Sequence, residues 1–233
     1  MEIKILHFYP DLMSLYGSYA NVSILKRTLE AMGNPVTVEQ VAPGADADPA
    51  AADFVYMGAG TEHAQKAALL YFSKLGDQVK AAAEGGVAML FAGNAMELLG
   101  KTITDDAGKV YEGLGLADFT AVQNKKRFVE DVYGHTDLYE DAVVGFVNRC
   151  SVITGVETPL LTSMDMGHGN EQRLCQPAHR ADSGEEPGAA EDHGTGHLSP
   201  SGRDLPGDPG RSIHGRGLGH HSGAVEGLSL IHI

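Results

Sequence analysis

Cysteine and long apolar runs are scarce in this chain of 233 residues. The two cysteines, Cys150 and Cys175, form no Cys-x-x-Cys pair, which argues against a disulfide framework and against a structural zinc site. No stretch approaches the roughly 18 consecutive apolar residues that a membrane span needs. The first residues, Met1 to Leu6, lack the apolar core of a signal peptide, so we expect a cytoplasmic protein without a membrane span.

Basic residues are in the minority as well. The 17 lysines and arginines are outnumbered by 31 acidic residues, which gives a formal net charge of -14. An acidic surface repels a phosphate backbone, so we expect no nucleic acid partner. The length suffices for one α/β domain with a sizeable core.

The composition changes near residue 172. From Arg173 onward the sequence contains no Phe, Tyr, Trp, Met, Lys or Asn, and it holds seven of the eleven histidines. Such a segment cannot bury enough apolar surface to offset the entropy lost on ordering. We therefore predict a globular domain over residues 1–172 and an unpacked tail over residues 173–233, without a metal site.

Two interpretations of the tail are open: a natural disordered segment, or translation in a shifted reading frame. The last six residues, Leu228 to Ile233, match the translation of a transposase end sequence that is used in preparing sequencing libraries. Codons can also be chosen for Arg173 to His193 so that a shifted frame regains apolar density and a Lys-Asn-Pro turn. These observations favour the frameshift and a non-native tail.

Strand and helix patterns alternate in the first hundred residues. Three helical patterns separate the apolar segments: one over 21–32, one that follows Thr61 and carries apolar residues from Ala68 to Leu75, and one over 77–84. Asn21 and Thr61 are candidate caps of the first two helices. This alternation predicts a mostly parallel sheet with helices on both faces. We expect its strands near 2–8, 36–41, 53–57 and 87–92. Farther along, we expect a hairpin turn at 105–108 and strands at 119–122, 143–148 and 158–162.

Two predicted strands end in turns where chemistry is expected, because open parallel sheets bind ligands at the carboxyl ends of their strands. One turn is Gly58-Ala59-Gly60-Thr61, whose small residues allow backbone N–H groups to approach an anion. The other follows Phe91 and leads directly into a short helix, as in a nucleophile elbow. The residue at that turn is Gly93, which has no side chain, and Asn94 is not a nucleophile.

With these turns in place, the chain resembles the class I glutamine amidotransferases of the cobyric acid synthase (CobB/CobQ) type, and most closely the glutaminase subunits of lipid II isoglutaminyl synthases. The resemblance implies a three-layer α/β sandwich with a flavodoxin-like or Rossmann-like sheet, here truncated at its C-terminal end. It rests on segments that occur in family order: His7-Phe8-Tyr9-Pro10-Asp11 with Leu15-Tyr16-Gly17 and Asn21, Met57 to Thr61 with Gln65, Leu90 to Gly100, Gly113 to Leu116, Arg127, Val144-Gly145-Phe146 with Asn148, and Gly167 to Asn170.

The resemblance also implies roles for individual residues. The family carries at the position of Gly93 a cysteine that attacks the side-chain amide of L-glutamine and releases ammonia. Gly58, Ala59 and Gly60 match the glycine loop that stabilises the oxyanion, and Asn94 matches its second backbone donor. Arg127 matches a basic residue that binds the carboxylate of glutamine, for which a guanidinium is suited.

The family's general-base histidine is not found in the printed sequence. The shifted frame has Thr at that position and a His one residue earlier. The resemblance implies a partner, a Mur ligase-like synthetase that uses the ammonia to amidate a peptidoglycan precursor, and it implies no cofactor or metal.

Three functions remain open at this point. The first is a glutaminase subunit, against which Gly93 counts. The second is a pseudo-amidotransferase that keeps the fold and serves as a binding or regulatory subunit, which Gly93 favours. The third is a flavodoxin-like nucleotide or phosphate binder. We interpret Cys150 as a structural, half-buried residue and His63 as an exposed residue at a helix start.

Overall fold

The computed structural model describes residues 2–157 and 159–167. This part of the chain contains a four-stranded sheet and a five-stranded sheet. The tail predicted for residues 173–233 lies outside the described residues, as do His168 and Cys175.

Four parallel strands form the first sheet, in the order β2-β1-β3-β4. All four strands and the three intervening helices were expected from the sequence pattern, and the α/β class is thereby confirmed. The elements are β1 (Ile3–Phe8), α1 (Ala20–Ala31), β2 (Val36–Val41), β3 (Phe54–Met57), α2 (Glu62–Phe72), α3 (Gly76–Glu84) and β4 (Ala88–Phe91).

Helices cover both faces of this sheet, because its strands carry apolar side chains on both sides. On one face, Val22 of α1 packs in a cluster with Ile5 and Tyr56. On the other face, side chains of α2 and α3, including Phe72, pack against β1, β3 and β4 in the main core. The predicted three-layer sandwich is therefore confirmed.

The helix caps were predicted with mixed success. Thr61 caps α2 as expected, since its side chain accepts a hydrogen bond from the backbone N–H of Ala64 at 3.1 Å. The prediction that Asn21 caps α1 was wrong, because the helix begins one residue earlier, at Ala20. The side chain of Asn21 instead donates to the hydroxyl oxygen of Tyr56 at 2.8 Å, which ties α1 to the sheet.

The second sheet has the order β6-β5-β7-β8, and β9 pairs with β7. The predicted hairpin at 105–108 is confirmed, and Asp105 accepts hydrogen bonds there from the backbone N–H groups of Ala107 and Lys109. The strands are β5 (Thr102–Thr104), β6 (Val110–Glu112), β7 (Thr120–Thr136), β8 (Tyr139–Thr154) and β9 (Ser163–Met166).

Two predictions for this sheet need correction. The strands β7 and β8 are far longer than expected and form one hairpin, with an irregularity between Gln123 and Phe128. The strand predicted for 158–162 is wrong for the described residues 159–162, since β9 begins at Ser163. Pro159 has no N–H for a ladder, and pairing begins where Thr162 N–H donates to the carbonyl of His135.

None of the helices in the described part of the chain combines the length and the apolar composition that crossing a bilayer requires.

Candidate functional site

Two turns lie side by side at the carboxyl ends of β3 and β4, which pair in parallel. The turn after β4 leads through Ala92 into a short 3-10 helix, Gly93–Leu99. Gly93 has a φ of +56°, a left-handed conformation that side-chain-bearing residues rarely adopt. This is the strained strand-to-helix geometry of an elbow, but it presents no reactive side chain.

Asn94 joins the two turns through a reciprocal pair of hydrogen bonds. The backbone N–H of Gly60 donates to Asn94 Oδ1 at 2.9 Å, and Asn94 Nδ2 donates to the carbonyl of Gly60 at 2.8 Å. The structure thus brings together the residues predicted to form the oxyanion site. Since the Gly60 N–H already has an acceptor, its predicted role toward an oxyanion requires that Asn94 move away.

Ala59 fills the space beside Gly93. A Cβ atom added at Gly93 would lie 2.8 Å from the Cβ of Ala59, closer than two such atoms approach in real structures. A side chain at position 93 and the methyl group of Ala59 therefore exclude each other without a backbone shift. Gly58 is excluded from substitution for another reason, because a side chain there would collide with the Met13 carbonyl and with Ser18.

A cavity of about 480 Å³ opens beside the elbow. This volume lies within the range of small-molecule sites. Gly93, Asn94, Ala59 and Gly60 line it, and Arg127 reaches it from β7. Among the residues predicted for the site, Gly58 alone does not line the cavity.

Arg127 enters the cavity from the irregular part of β7, where 124–127 depart from regular pairing with β8. Such irregularities in a strand often aim a side chain into a site. Its Nη1 donates to Glu62 Oε1 at 2.7 Å, its Nε to Asn148 Oδ1 at 2.8 Å, and its Nη2 to the Asn148 carbonyl at 3.0 Å. Arg127 is therefore held by two neighbours at the cavity.

Cys150 lines the same cavity as Gly93, which the sequence analysis did not anticipate from their separation along the chain. Its side chain is buried, and Sγ donates to Glu62 Oε1 at 3.2 Å. Burial is the largest cause that raises the pKa of the thiol to about 12, and Glu62 adds to it by accepting the hydrogen bond and by its negative charge. At neutral pH Cys150 is a thiol, a poor nucleophile.

Glu97 is a buried carboxyl group on the elbow helix, with 1% of its surface exposed. Ser151 donates to its Oε1, and Gln65 and Gln123 donate to its Oε2 at 2.7 and 3.3 Å. Burial raises the pKa of Glu97 above its ordinary value, although these hydrogen bonds act in the opposite direction. The group links α2, the elbow and both long strands through neutral donors.

Sequence reasoning missed Glu62, Glu97 and the position of Cys150. Glu62 directly follows the glycine turn that ends at Thr61. Its position in the first turn of a helix favours an ionised carboxylate, and this was predictable from the sequence. Nothing in the local sequence indicated that β8 crosses the site. His63, which follows Glu62 on α2, does not line the cavity, and no group of three or more metal-ligating side chains occurs among the described residues.

The elbow, the glycine turn and their parallel sheet define a class I glutamine amidotransferase scaffold. Residues 4–185 match the CobB/CobQ-like glutamine amidotransferase domain, and the chain belongs to this family. The matched range runs past residue 172, so the domain boundary remains a prediction.

Two curated relatives carry the same name, lipid II isoglutaminyl synthase (glutamine-hydrolyzing) subunit GatD. The chain is 28% identical to the Streptococcus pneumoniae protein over 189 residues, which are 76% of this chain and 70% of the relative. It is 27% identical to the Staphylococcus aureus protein over 148 residues, which are 64% of this chain and 60% of the relative.

We predict that Gly93 and Ala59 are energetically coupled. Gly93→Cys should lower the free energy of unfolding by about 1–3 kcal/mol, because it places a side chain on a left-handed backbone position and creates a clash with the Ala59 methyl. In the A59G/G93C double variant, part of this loss should return, which urea denaturation of all four proteins in a double-mutant cycle measures. Strict additivity of the two single changes would contradict the predicted contact.

We also predict that Cys150 reacts slowly in the folded protein. A pKa of about 12 in place of 9.0 leaves about 1000-fold less thiolate at any pH well below both values. Iodoacetamide labelling at pH 8, followed by peptide mass spectrometry, should show slow modification of Cys150 in buffer and fast modification in urea. Equal rates in the two conditions would show that the thiol is neither buried nor suppressed.

The buried carboxyl of Glu97 should make stability depend on pH. Because its pKa in the folded state lies above the ordinary value of 4.5, folding holds the proton more tightly than the unfolded chain does. As pH rises from 4.5 through the raised pKa, the wild type should lose stability relative to E97Q. Urea denaturation at several pH values measures this difference, and a constant difference would show that Glu97 titrates normally.

Proposed function

We propose that this chain is a glutamine-binding, non-hydrolysing amidotransferase subunit. In this proposal the cavity beside the elbow holds L-glutamine without cleaving it, and the protein acts as a binding or regulatory partner of a synthetase. The chain has the family's fold, and its elbow carries Gly93 in place of the nucleophile.

The observation that carries the proposal is the pair formed by Gly93 and Ala59. A missing cysteine alone is compatible with a single isolated change in an otherwise intact enzyme. Here the neighbouring alanine occupies the space that a side chain at position 93 needs. The residues at two positions that are separated in sequence, Ala59 and Gly93, therefore both fit an elbow that carries no side chain.

The cavity's size and charges support glutamine as the ligand. Its volume of about 480 Å³ accommodates a single amino acid with room to spare. Arg127 offers a guanidinium to an α-carboxylate. The Glu62 carboxylate lies beside it and pairs with it at 2.7 Å. The third function considered, a phosphate or nucleotide binder, finds no support in a cavity with two carboxyl groups, Glu62 and Glu97.

The proposed partner follows from the names of the relatives, which are subunits of lipid II isoglutaminyl synthase. A subunit of this kind works beside a synthetase that consumes ammonia, and we propose a Mur ligase-like synthetase as the partner of this chain. The product of that synthetase would be an amidated peptidoglycan precursor. If this chain does not hydrolyse glutamine, the synthetase would take its ammonia from another source.

A second candidate is a hydrolysing subunit in which Cys150 replaces the missing nucleophile. The position of Cys150 on the wall of the same cavity favours it. The raised pKa of its thiol opposes it, since a thiol held neutral by burial and by the adjacent carboxylate attacks an amide poorly.

The test combines binding, hydrolysis and covalent capture. Isothermal titration with L-glutamine should show binding, while an ammonia assay under the same conditions should show no release above a protein-free blank. The glutamine analogue 6-diazo-5-oxo-L-norleucine, which alkylates nucleophiles in glutamine sites, should leave the mass of the wild-type protein unchanged.

The A59G/G93C variant is the matched control, because it places a thiol at the elbow and makes room for it. This variant should gain one adduct from the analogue, with the label on residue 93. Ammonia release by the wild type, or an adduct on its Cys150, would refute the non-hydrolysing proposal in favour of the second candidate. Absence of glutamine binding would refute the proposed ligand.

A further inference from the structure

The guanidinium group of Arg127 is held within the protein through three of its five N–H groups. All three of its nitrogen atoms donate hydrogen bonds, one to Glu62 and two to Asn148. A ligand carboxylate that approaches the Nη1 side of Arg127 therefore meets Glu62, which is already bound there. Of these partners only Glu62 carries a charge, and it offers the same kind of group that the ligand would bring.

Several contacts besides Arg127 stabilise the ionised carboxylate of Glu62. It lies in the first turn of α2, where the helix dipole favours a negative charge. Burial acts to raise its pKa, but its own backbone N–H, Cys150 and Arg127 outweigh burial and hold the pKa of Glu62 below its ordinary value. The carboxylate therefore stays ionised at neutral pH and keeps partners if Arg127 turns away.

We infer that Glu62 is an internal competitor that occupies the carboxylate-binding position on Arg127 and sets the affinity of the cavity for its ligand. The inference rests on the proposed function, since it assumes a ligand with a carboxylate. Binding is then an exchange in which the ligand's carboxylate takes the place of Glu62.

The exchange is feasible because the pair is not deeply buried. The side chains of Arg127 and Glu62 keep 39% and 37% of their surface exposed. Pairs with this much exposure contribute little to stability, so a ligand can separate them. Removing the competitor should tighten binding about two- to fivefold, the range that corresponds to the strength of such pairs.

The experiment compares L-glutamine with its α-carboxamide, L-glutaminamide, by isothermal titration at low salt. Glu62→Gln should lower the dissociation constant for L-glutamine about two- to fivefold and leave that for L-glutaminamide unchanged. Glu112→Gln removes an exposed carboxylate of β6 that does not line the cavity, and it should change neither value. Thermal unfolding of each variant verifies that it is folded.

Weaker or unchanged glutamine binding by folded Glu62→Gln would overturn the inference, since weaker binding means that Glu62 holds the ligand directly. If neither protein binds glutamine, the proposed function fails, and succinate then serves as a carboxylate probe. Succinate binding by Glu62→Gln that exceeds binding by the wild type supports the internal competitor independently of glutamine. Equal succinate affinities, or no binding by either protein, would overturn it.

Discussion

Parallel pairing of β3 with β4 is the constraint on which the site depends. The pairing runs from Phe54 opposite Ala88 to Met57 opposite Phe91, so both strands end at the same level. The glycine turn and the elbow must then lie in contact, and small residues are needed on both sides. The hydrogen bonds between Asn94 and Gly60 hold this arrangement, and the Ala59 methyl fills the remaining space.

The second sheet completes the cavity through its long hairpin. Arg127 and Cys150 come from β7 and β8, and both contact Glu62 at the start of α2. Behind them, the buried network around Glu97 connects α2, the elbow helix and the same two strands. A fully bonded network of this kind rigidifies its surroundings, so the hairpin and the elbow are held in a fixed relation.

The sequence carried enough information for the first sheet and little for the hairpin. Continuous apolar strands such as Val87 to Ala92, separated by helical patterns, indicate a parallel sheet because local periodicity and burial agree there. The length of β7 and β8 was not predictable in this way. Exposed polar residues such as Lys125 and Lys126 interrupt the apolar alternation, and they lie in the irregular stretch between Gln123 and Phe128, with paired residues on both sides.

The residues of the candidate site also fall into two groups, those identified from local sequence and those that depend on pairing between distant strands. Gly93, Asn94 and the glycine turn were identified from local sequence, since strand ends and turns are local features. Arg127 came from the family resemblance and was then found at the cavity. Cys150 was interpreted only as a structural residue, and its place on the wall of the same cavity as Gly93 follows from the pairing of β7 with β8. Contacts such as that between Cys150 and Glu62, 88 residues apart, are invisible until the sheets are assembled.

The close fit between Ala59 and Gly93 also carries information about history. If the family's cysteine was ancestral at position 93, an alanine at position 59 would have collided with it. Either the glycine was then in place before the alanine or with it, or the backbone at the elbow has shifted since. A side chain added at position 93 alone would clash with the Ala59 methyl, and Ala59→Gly alone would leave the space beside Gly93 unfilled. A side chain at position 93 therefore calls for a smaller residue at position 59 as well, or for a shift of the backbone.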